Sequence, residues 1–165
     1  MSASKARACP AKPAANNCWQ REWAAILCDS HLRVCGRALL PTLDEPSSLG
    51  ETLFDAGIVV VSHGTEADPI FNYANRTALE LFEMTWEQFV QLPSRKSAEP
   101  LERAERDRLM KAVSARGYID DYSGIRVSAT GKRFSIRNAT VWNVVDDSGV
   151  LRGQAATFSS WQPVD

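Results

Sequence analysis

The chain has 165 residues and a formal net charge of −1, with 44% apolar and 24% charged residues. That length suits one domain plus an extension, and the near-neutral charge argues against a nucleic-acid footprint or a surface drawn to anionic membranes. No apolar run reaches membrane-spanning length and no signal-type apolar core follows Met1, so a soluble cytoplasmic protein is expected.

Residues 1–16 hold small residues, Pro10, Pro13 and the bases Lys5, Arg7 and Lys12, with no acid. This composition predicts a disordered tail; the start of an organelle transit peptide is the alternative. Residues 17–50 are expected to be a helix and a linker. Trp19, Trp23, Ile26 and Leu27 form one apolar stripe, continued by Leu32, Cys35 and Leu39. Gly36 weakens the helix, Pro41 ends it near Leu40, and Pro- and Ser-rich residues follow. Two tryptophans on one face need a partner surface. It is this chain's own sheet or the same helix of a second subunit, the homodimer being preferred.

All four cysteines (Cys9, Cys18, Cys28, Cys35) precede residue 36. Cys28, His31 and Cys35 fall near one helical face but lack a paired C-x-x-C knuckle. They read as small buried side chains, and no metal is expected.

Residues 51–165 read as one α+β domain. Gly57–Ser62 is a first strand and Ile70–Ala74 a second, joined by a turn through His63–Pro69. From Asn75 the spacing becomes helical, with Ala74, Ala78, Leu81 and Phe82 on one stripe. Asn75 suits the cap, because its side-chain oxygen can accept a free N–H of the first turn. Thr85-Trp86-Glu87-Gln88 is a capping-box pattern that opens a short helix presenting Trp86, Phe89 and Val90. Leu92–Glu99 is irregular. Pro100 opens a helix to about Ala115, stopped by Gly117, with Leu109, Ala112 and Val113 inward. Glu102/Arg106 and Glu99/Arg103 are i,i+4 pairs on its wet face. Three strands complete the chain, Tyr118–Ala129, Arg133–Val145 and Leu151–Trp161, with turns at Thr130-Gly131-Lys132 and Asp146-Asp147-Ser148-Gly149. The expected fold is a five-stranded antiparallel sheet with helices on one face, preceded by an N-terminal helix.

That order resembles a PAS domain, a sensor and interaction fold. The strings Asp68-Pro69-Ile70-Phe71-Asn72-Tyr73-Ala74-Asn75-Arg76 and Leu92-Pro93-Ser94-Arg95-Lys96-Ser97-Ala98-Glu99-Pro100 are similar to those of the MEKHLA domain, a PAS-like family. So are Asp121-Tyr122-Ser123-Gly124-Ile125-Arg126-Val127-Ser128 and Gly153-Gln154-Ala155-Ala156. The family occurs as small stand-alone proteins and as the C-terminal module of plant class III homeodomain–leucine zipper transcription factors. The resemblance runs from about Trp19 to Trp161. It implies a PAS-like fold and a sensory or regulatory role, with no assigned ligand. DNA binding is not carried over, since nothing here matches a homeodomain or zipper.

PAS chromophores leave marks in sequence. A flavin–thiol photosensor needs a cysteine near Ser94–Ala98, and a coumaroyl group needs one in the domain; the last cysteine is Cys35. An axial haem ligand on the helix after Pro100 would usually be His, and the only histidines are His31 and His63. Non-covalent flavin stays open, so no cofactor is named.

Simple alternation along Arg133–Val145 puts Phe134, Ile136, Asn138, Thr140 and Trp142 on one face. If that is the core face, Asn138 and Thr140 are polar groups in an apolar pocket, satisfied by the protein or by a ligand. Tyr122 and Arg126 alternate together on the preceding strand, unless Gly124 bulges the register. Arg95 is either a clamp on a carboxylate such as Glu99 or Asp121, the preferred reading, or a grip for a carboxylate ligand. The candidate ligand-binding residues are therefore Arg95, Tyr122, Arg126, Asn138, Thr140 and Trp142.

No catalytic residue is proposed. No nucleophile elbow, zinc-protease or phosphate-loop motif occurs, and Asp120 and Asp121 are adjacent, so on a regular strand they point to opposite faces. The expected function is a stand-alone sensory or regulatory module that binds an unidentified small molecule and signals through protein association. The alternative is a structural interaction or dimerisation module with no ligand.

Overall fold

The N-terminal stripe folds as α1 (Arg21–Cys35) in the computed structural model, which describes residues 9–41, 45, 48–100 and 103–165. α1 is shorter at both ends than the expected helix. Gly36, with φ +73°, caps its end before Pro41 is reached. Its start is displaced because Ala15–Gln20 form a 3-10 turn in which Cys18, Trp19 and Gln20 have left-handed backbones. Helix α2 (Leu49–Asp55), which begins inside the expected linker, crosses this turn at Gly50. A Cβ on Gly50 would lie 2.7 Å from the Trp19 carbonyl oxygen, so only glycine allows that approach. The Trp19 ring in turn packs on Phe54 of α2 at 5.7 Å between centroids.

Strand β1 (Val59–His63) pairs antiparallel with β2 (Phe71–Ala74), which feeds α3 (Arg76–Phe82) through Asn75. The Asn75 amide is wholly buried and fully used. Its Oδ1 accepts from the Ala78 and Val60 N–H groups (3.2 and 3.1 Å), and its Nδ2 donates to the carbonyls of Ile58 (2.7 Å) and Leu53 (3.2 Å). The cap foreseen from sequence thus also binds α3 to β1 and α2. Thr85 and Gln88 form the expected reciprocal box at α4 (Trp86–Phe89). A 3-10 turn at Ser94–Ser97 leads to α5 (Arg103–Arg116), which stops at Gly117 with φ +85°. The pairs expected at Glu102/Arg106 and Glu99/Arg103 fall on residues or side chains outside the described ones.

The sheet is completed by β3 (Tyr118–Val127), β4 (Arg133–Val145), β5 (Leu151–Phe158) and β6 (Trp161–Val164). It is antiparallel throughout, in the order β2-β1-β5-β4-β3, with β6 also paired to β4. The last expected strand is therefore two strands, making six among the described residues where five were expected. β5 pairs from Thr140 onward and β6 from Arg133 to Ile136, and the break at Ser159–Ser160 lies opposite Asn138.

Asn138 itself has φ 54° and sits in a bulge, since Tyr122 pairs with Ala139 but Gly124 with Ile136. The alternation of β4 reverses there. Phe134 faces the helices, 5.4 Å from Phe82, whereas Trp142 faces the other way and donates its indole N–H to Ser30 of α1 at 3.0 Å.

That opposite face is where α1 lies, in cis. Trp23 donates to the Ser62 hydroxyl at 3.1 Å, the His31 ring meets Trp142 edge-on at 4.8 Å, and Ala24 and Leu27 are fully buried. Arg33 donates to the carbonyls of Val145 and Asp146. Of the tail expected over residues 1–16, residues 1–8 lie outside the described ones, and the Trp86 indole donates to the Pro10 carbonyl at 2.8 Å. Among the described residues no helix is long and apolar enough to cross a membrane.

Candidate functional site

Between the inner face of the sheet and helices α3 and α5 lies a cavity of about 370 Å³. Its apolar wall includes Val61, Phe71, Phe82, Leu109, Val141, Ala156 and Phe158, and its polar side includes His63, Ser97, Tyr122, Arg126 and Gln154. Volume and composition fall within the range of small-molecule sites.

The polar side is built on β3 and on the 3-10 turn. Strand periodicity places Tyr122 and Arg126 on one face, and Gly124 between them leaves room, because a Cβ there would approach the Tyr122 hydroxyl to 2.8 Å. The turn is held on two sides by backbone. Ser94 N–H donates to the Pro69 carbonyl at 2.8 Å, Glu99 N–H donates to the Ile125 carbonyl at 3.1 Å, and Ala98 bridges to Arg126. Ser97, fully buried, donates its hydroxyl to the Ser94 carbonyl at 2.7 Å and accepts from Arg126 Nη1 at 3.4 Å.

The Arg126 guanidinium also sits 5.8 Å from the centre of the Tyr122 ring. Burial lowers its proton affinity, and no carboxylate among the described residues lies in ion-pair reach. The carboxylates around the site are already engaged. Glu99 pairs with Arg133, whose guanidinium hydrogen bond holds the carboxyl below its usual range. Asp68 pairs with Arg95 at 3.1 Å.

Of the residues singled out from sequence, Arg95, Tyr122 and Arg126 meet at this cavity. Asn138, Thr140 and Trp142 do not. The bulge exposes Asn138 and turns Thr140 and Trp142 to the outer face, where Trp142 is sealed under α1. The expected partner of Arg95 also changes: it holds Asp68, not Glu99 or Asp121, at an exposed rim where such a pair contributes about 0–1 kcal/mol. Asp121 pairs instead with Arg108 at 2.8 Å. Ser97, His63 and Gln154 were not picked out by sequence reasoning. Gln154 alternates with Ala155 on β5, and its Nε2 donates to Asn143 Oδ1 at 3.2 Å; only the face of β5 would have revealed it.

The soft side chains near the N-terminus are arranged as packing. Burial pushes the Cys28 thiol up to about 12 and the Cys35 thiol to about 11, while His31 Nδ1 meets the Arg37 carbonyl at 2.7 Å. All four cysteines are free thiols. Among the described residues no group of three or more His, Cys, Asp or Glu side chains is placed to hold a metal.

The family model of the MEKHLA domain matches residues 21–163. Over 124 residues the chain is 31% identical to homeobox-leucine zipper protein ATHB-9 of Arabidopsis thaliana, covering 72% of this chain and 15% of that protein. With ATHB-14 of the same plant the identity is 28% over 104 residues, covering 63% of this chain and 12% of that protein. The chain thus spans only a small part of these curated relatives. Among solved structures, the PAS domain of a Colwellia psychrerythraea protein superposes with a TM-score of 0.54 at 12% identity, covering 69% of this chain and 92% of that one. An RNA-binding light-oxygen-voltage receptor gives 0.58 at 18% identity, covering 78% and 35%. The light-state dimer of the fungal blue-light photoreceptor Vivid gives 0.54 at 13% identity, covering 78% and 90%. At these identities the likeness is one of fold.

Proposed function

From the premise that this chain belongs to the MEKHLA domain family and has a PAS-like fold, we propose that it is a sensory or regulatory module that binds a small molecule between sheet and helices. The observation that carries this reading is the cavity of about 370 Å³, apolar on one side and polar on the other, in a molecule whose other sheet face is closed by its own helix. Occupancy would be passed on by protein association, through a partner or a second copy of the chain. A light-state dimer among the structures of similar fold makes self-association a reasonable output to test.

The module is non-catalytic in this proposal. His31 and His63 each have Nδ1 against a backbone carbonyl, and Asp120 and Asp121 are held by Arg37 and Arg108. These are tied groups, not a relay. Four free thiols suit a reducing compartment, so the cytoplasm is the proposed location. With a net charge of −1, neither nucleic acid nor a membrane is a proposed partner.

Native mass spectrometry of the purified full chain tests the reading. The expected result is a bound small-molecule mass, lost on unfolding and absent in Ala156→Phe, which fills the cavity. Light scattering with and without that mass reports the association state. A chain that carries nothing, and associates identically in both forms, leaves the structural interaction module instead.

A further inference from the structure

Resting on the reading that the cavity holds a small molecule, we propose that its ligand is a monocarboxylate with an apolar body, its carboxylate held by Arg126.

Most charged side chains around the cavity are already paired. Arg95 and Glu99 line it, but Arg95 is paired with Asp68 and Glu99 with Arg133. His63 has its Nδ1 against the Gly64 carbonyl at 2.9 Å. Arg126 remains as the cation facing the space without a carboxylate partner among the described residues. Arg126 is half-buried, and a partly desolvated charge without a partner is unfavourable, so its place at the cavity asks for a compensating anion.

The geometry narrows the anion. A guanidinium carries five N–H donors, and the side-chain hydrogen bond that Arg126 makes within the described residues uses one, to Ser97 at 3.4 Å. The guanidinium lies over the Tyr122 ring at 5.8 Å, and its planar fork matches a carboxylate through two parallel bonds. One unpaired cation among the described residues suits a single negative charge; a phosphate dianion would ask for a second, and Arg95 and Arg133 are already paired. The wall of Val61, Leu109, Val141 and Phe158 requires the rest of the ligand to be apolar. Nor does Arg126 serve mainly to fasten the 3-10 turn. The backbone bridge at Ala98 and the Glu99–Ile125 hydrogen bond already do that.

Calorimetric titration of the full chain with octanoate and 4-phenylbutyrate, each beside its neutral amide, tests the assignment. Wild type should bind the acids at least about tenfold more tightly than the amides, the scale of a charged hydrogen-bonded contact. Arg126→Gln should bring the acids down to the level of the amides and leave the amides unchanged, with Arg126→Lys between. Ala156→Phe should lose both. Amides binding as tightly as acids, or acids indifferent to Arg126→Gln, overturn the carboxylate while the cavity reading stands. Wild type binding no probe overturns the carboxylate assignment as well, and an empty cavity in native mass spectrometry then removes the reading beneath it. Should Arg126→Gln fail to fold, the comparison of acid with amide on wild type decides alone.

Discussion

On its outer face the sheet is closed by α1 with its polar groups matched: the Trp23 and Trp142 indoles each donate to a serine hydroxyl, and Ala24 and Leu27 are fully buried between them. On its inner face α3 and α5 stand far enough off to leave about 370 Å³, and the arginine there has no carboxylate partner among the described residues. The same strands supply both faces. Composition alone does not separate them, since Ala155 and Ala156 are neighbours with identical side chains. The difference lies in whether the covering layer was shaped to the sheet or shaped to leave room. An unmatched charge beside unfilled volume marks the second kind.

The largest expected effect lies on the closed face. Trp142→Ala removes a fully buried indole and leaves the Ser30 hydroxyl only its bond to the Leu27 carbonyl, and should cost about 3–5 kcal/mol in a denaturant melt. A loss below about 1 kcal/mol would mean that α1 is only loosely applied.

A sharper contrast comes from adjacent residues. Both alanines border the cavity, but strand alternation turns the Ala155 side chain, 3% exposed, to the outer face with its neighbours Trp142 and Ser62, and the Ala156 side chain inward. Ala155→Phe should overpack and cost about 1–3 kcal/mol. Ala156→Phe should cost clearly less in the same melts. Equal penalties would show that the inner space is already occupied by protein.

Tyr73 tests whether an unmatched polar group outside the cavity is merely a cost. Its hydroxyl is buried with no hydrogen-bond partner among the described residues, and its ring meets that of Trp86 edge-on at 6.0 Å between centroids. Tyr73→Phe should leave stability unchanged or raise it by up to about 1 kcal/mol. A marked loss would expose a partner for that hydroxyl in solution, such as a trapped water.

The smallest effect concerns the clamp that ties the end of α3 to the β3–β4 hairpin. Glu83 accepts hydrogen bonds from Thr130 and Ser128 and pairs with Lys132, which lowers its carboxyl from 4.5 to about 2. A depressed carboxyl stabilises the fold fully above its unfolded value. That stabilisation fades as pH falls from about 4.5 toward 2. Between pH 5 and 3 wild type should therefore lose thermal stability more steeply than Glu83→Gln. Parallel acid limbs would show that the carboxylate is solvated rather than clamped.

Signals that act within a turn or two were legible in the sequence. The Asn75 cap, the Thr85–Gln88 box, the Gly117 stop and both hairpin turns stand where their residue types predict, and with them the PAS-like order. Tyr122 and Arg126 share the cavity for the same reason, since a strand period of two carries from one to the other. What escaped depends on distant segments. The left-handed Cys18–Gln20 turn reflects Gly50 crossing it, and the partner of Arg95 is set by a loop 27 residues away. The reversal at Asn138 is local but silent: Asn tolerates φ > 0 without announcing it, so alternation carried Thr140 and Trp142 to the wrong face.

That reversal bears on how β4 tolerates changes of length. Replacing Asn138 by Gly or Asp keeps the odd residue and should keep the strand in frame. Deleting it would restore unbroken alternation, and one half of the strand would then have to present its other side: Trp142 would swing into the cavity, or Phe134 away from Phe82. Among relatives, a gap or an insertion between Ile136 and Ala139 therefore signals a rebuilt interior, however similar the residues on either side of it remain.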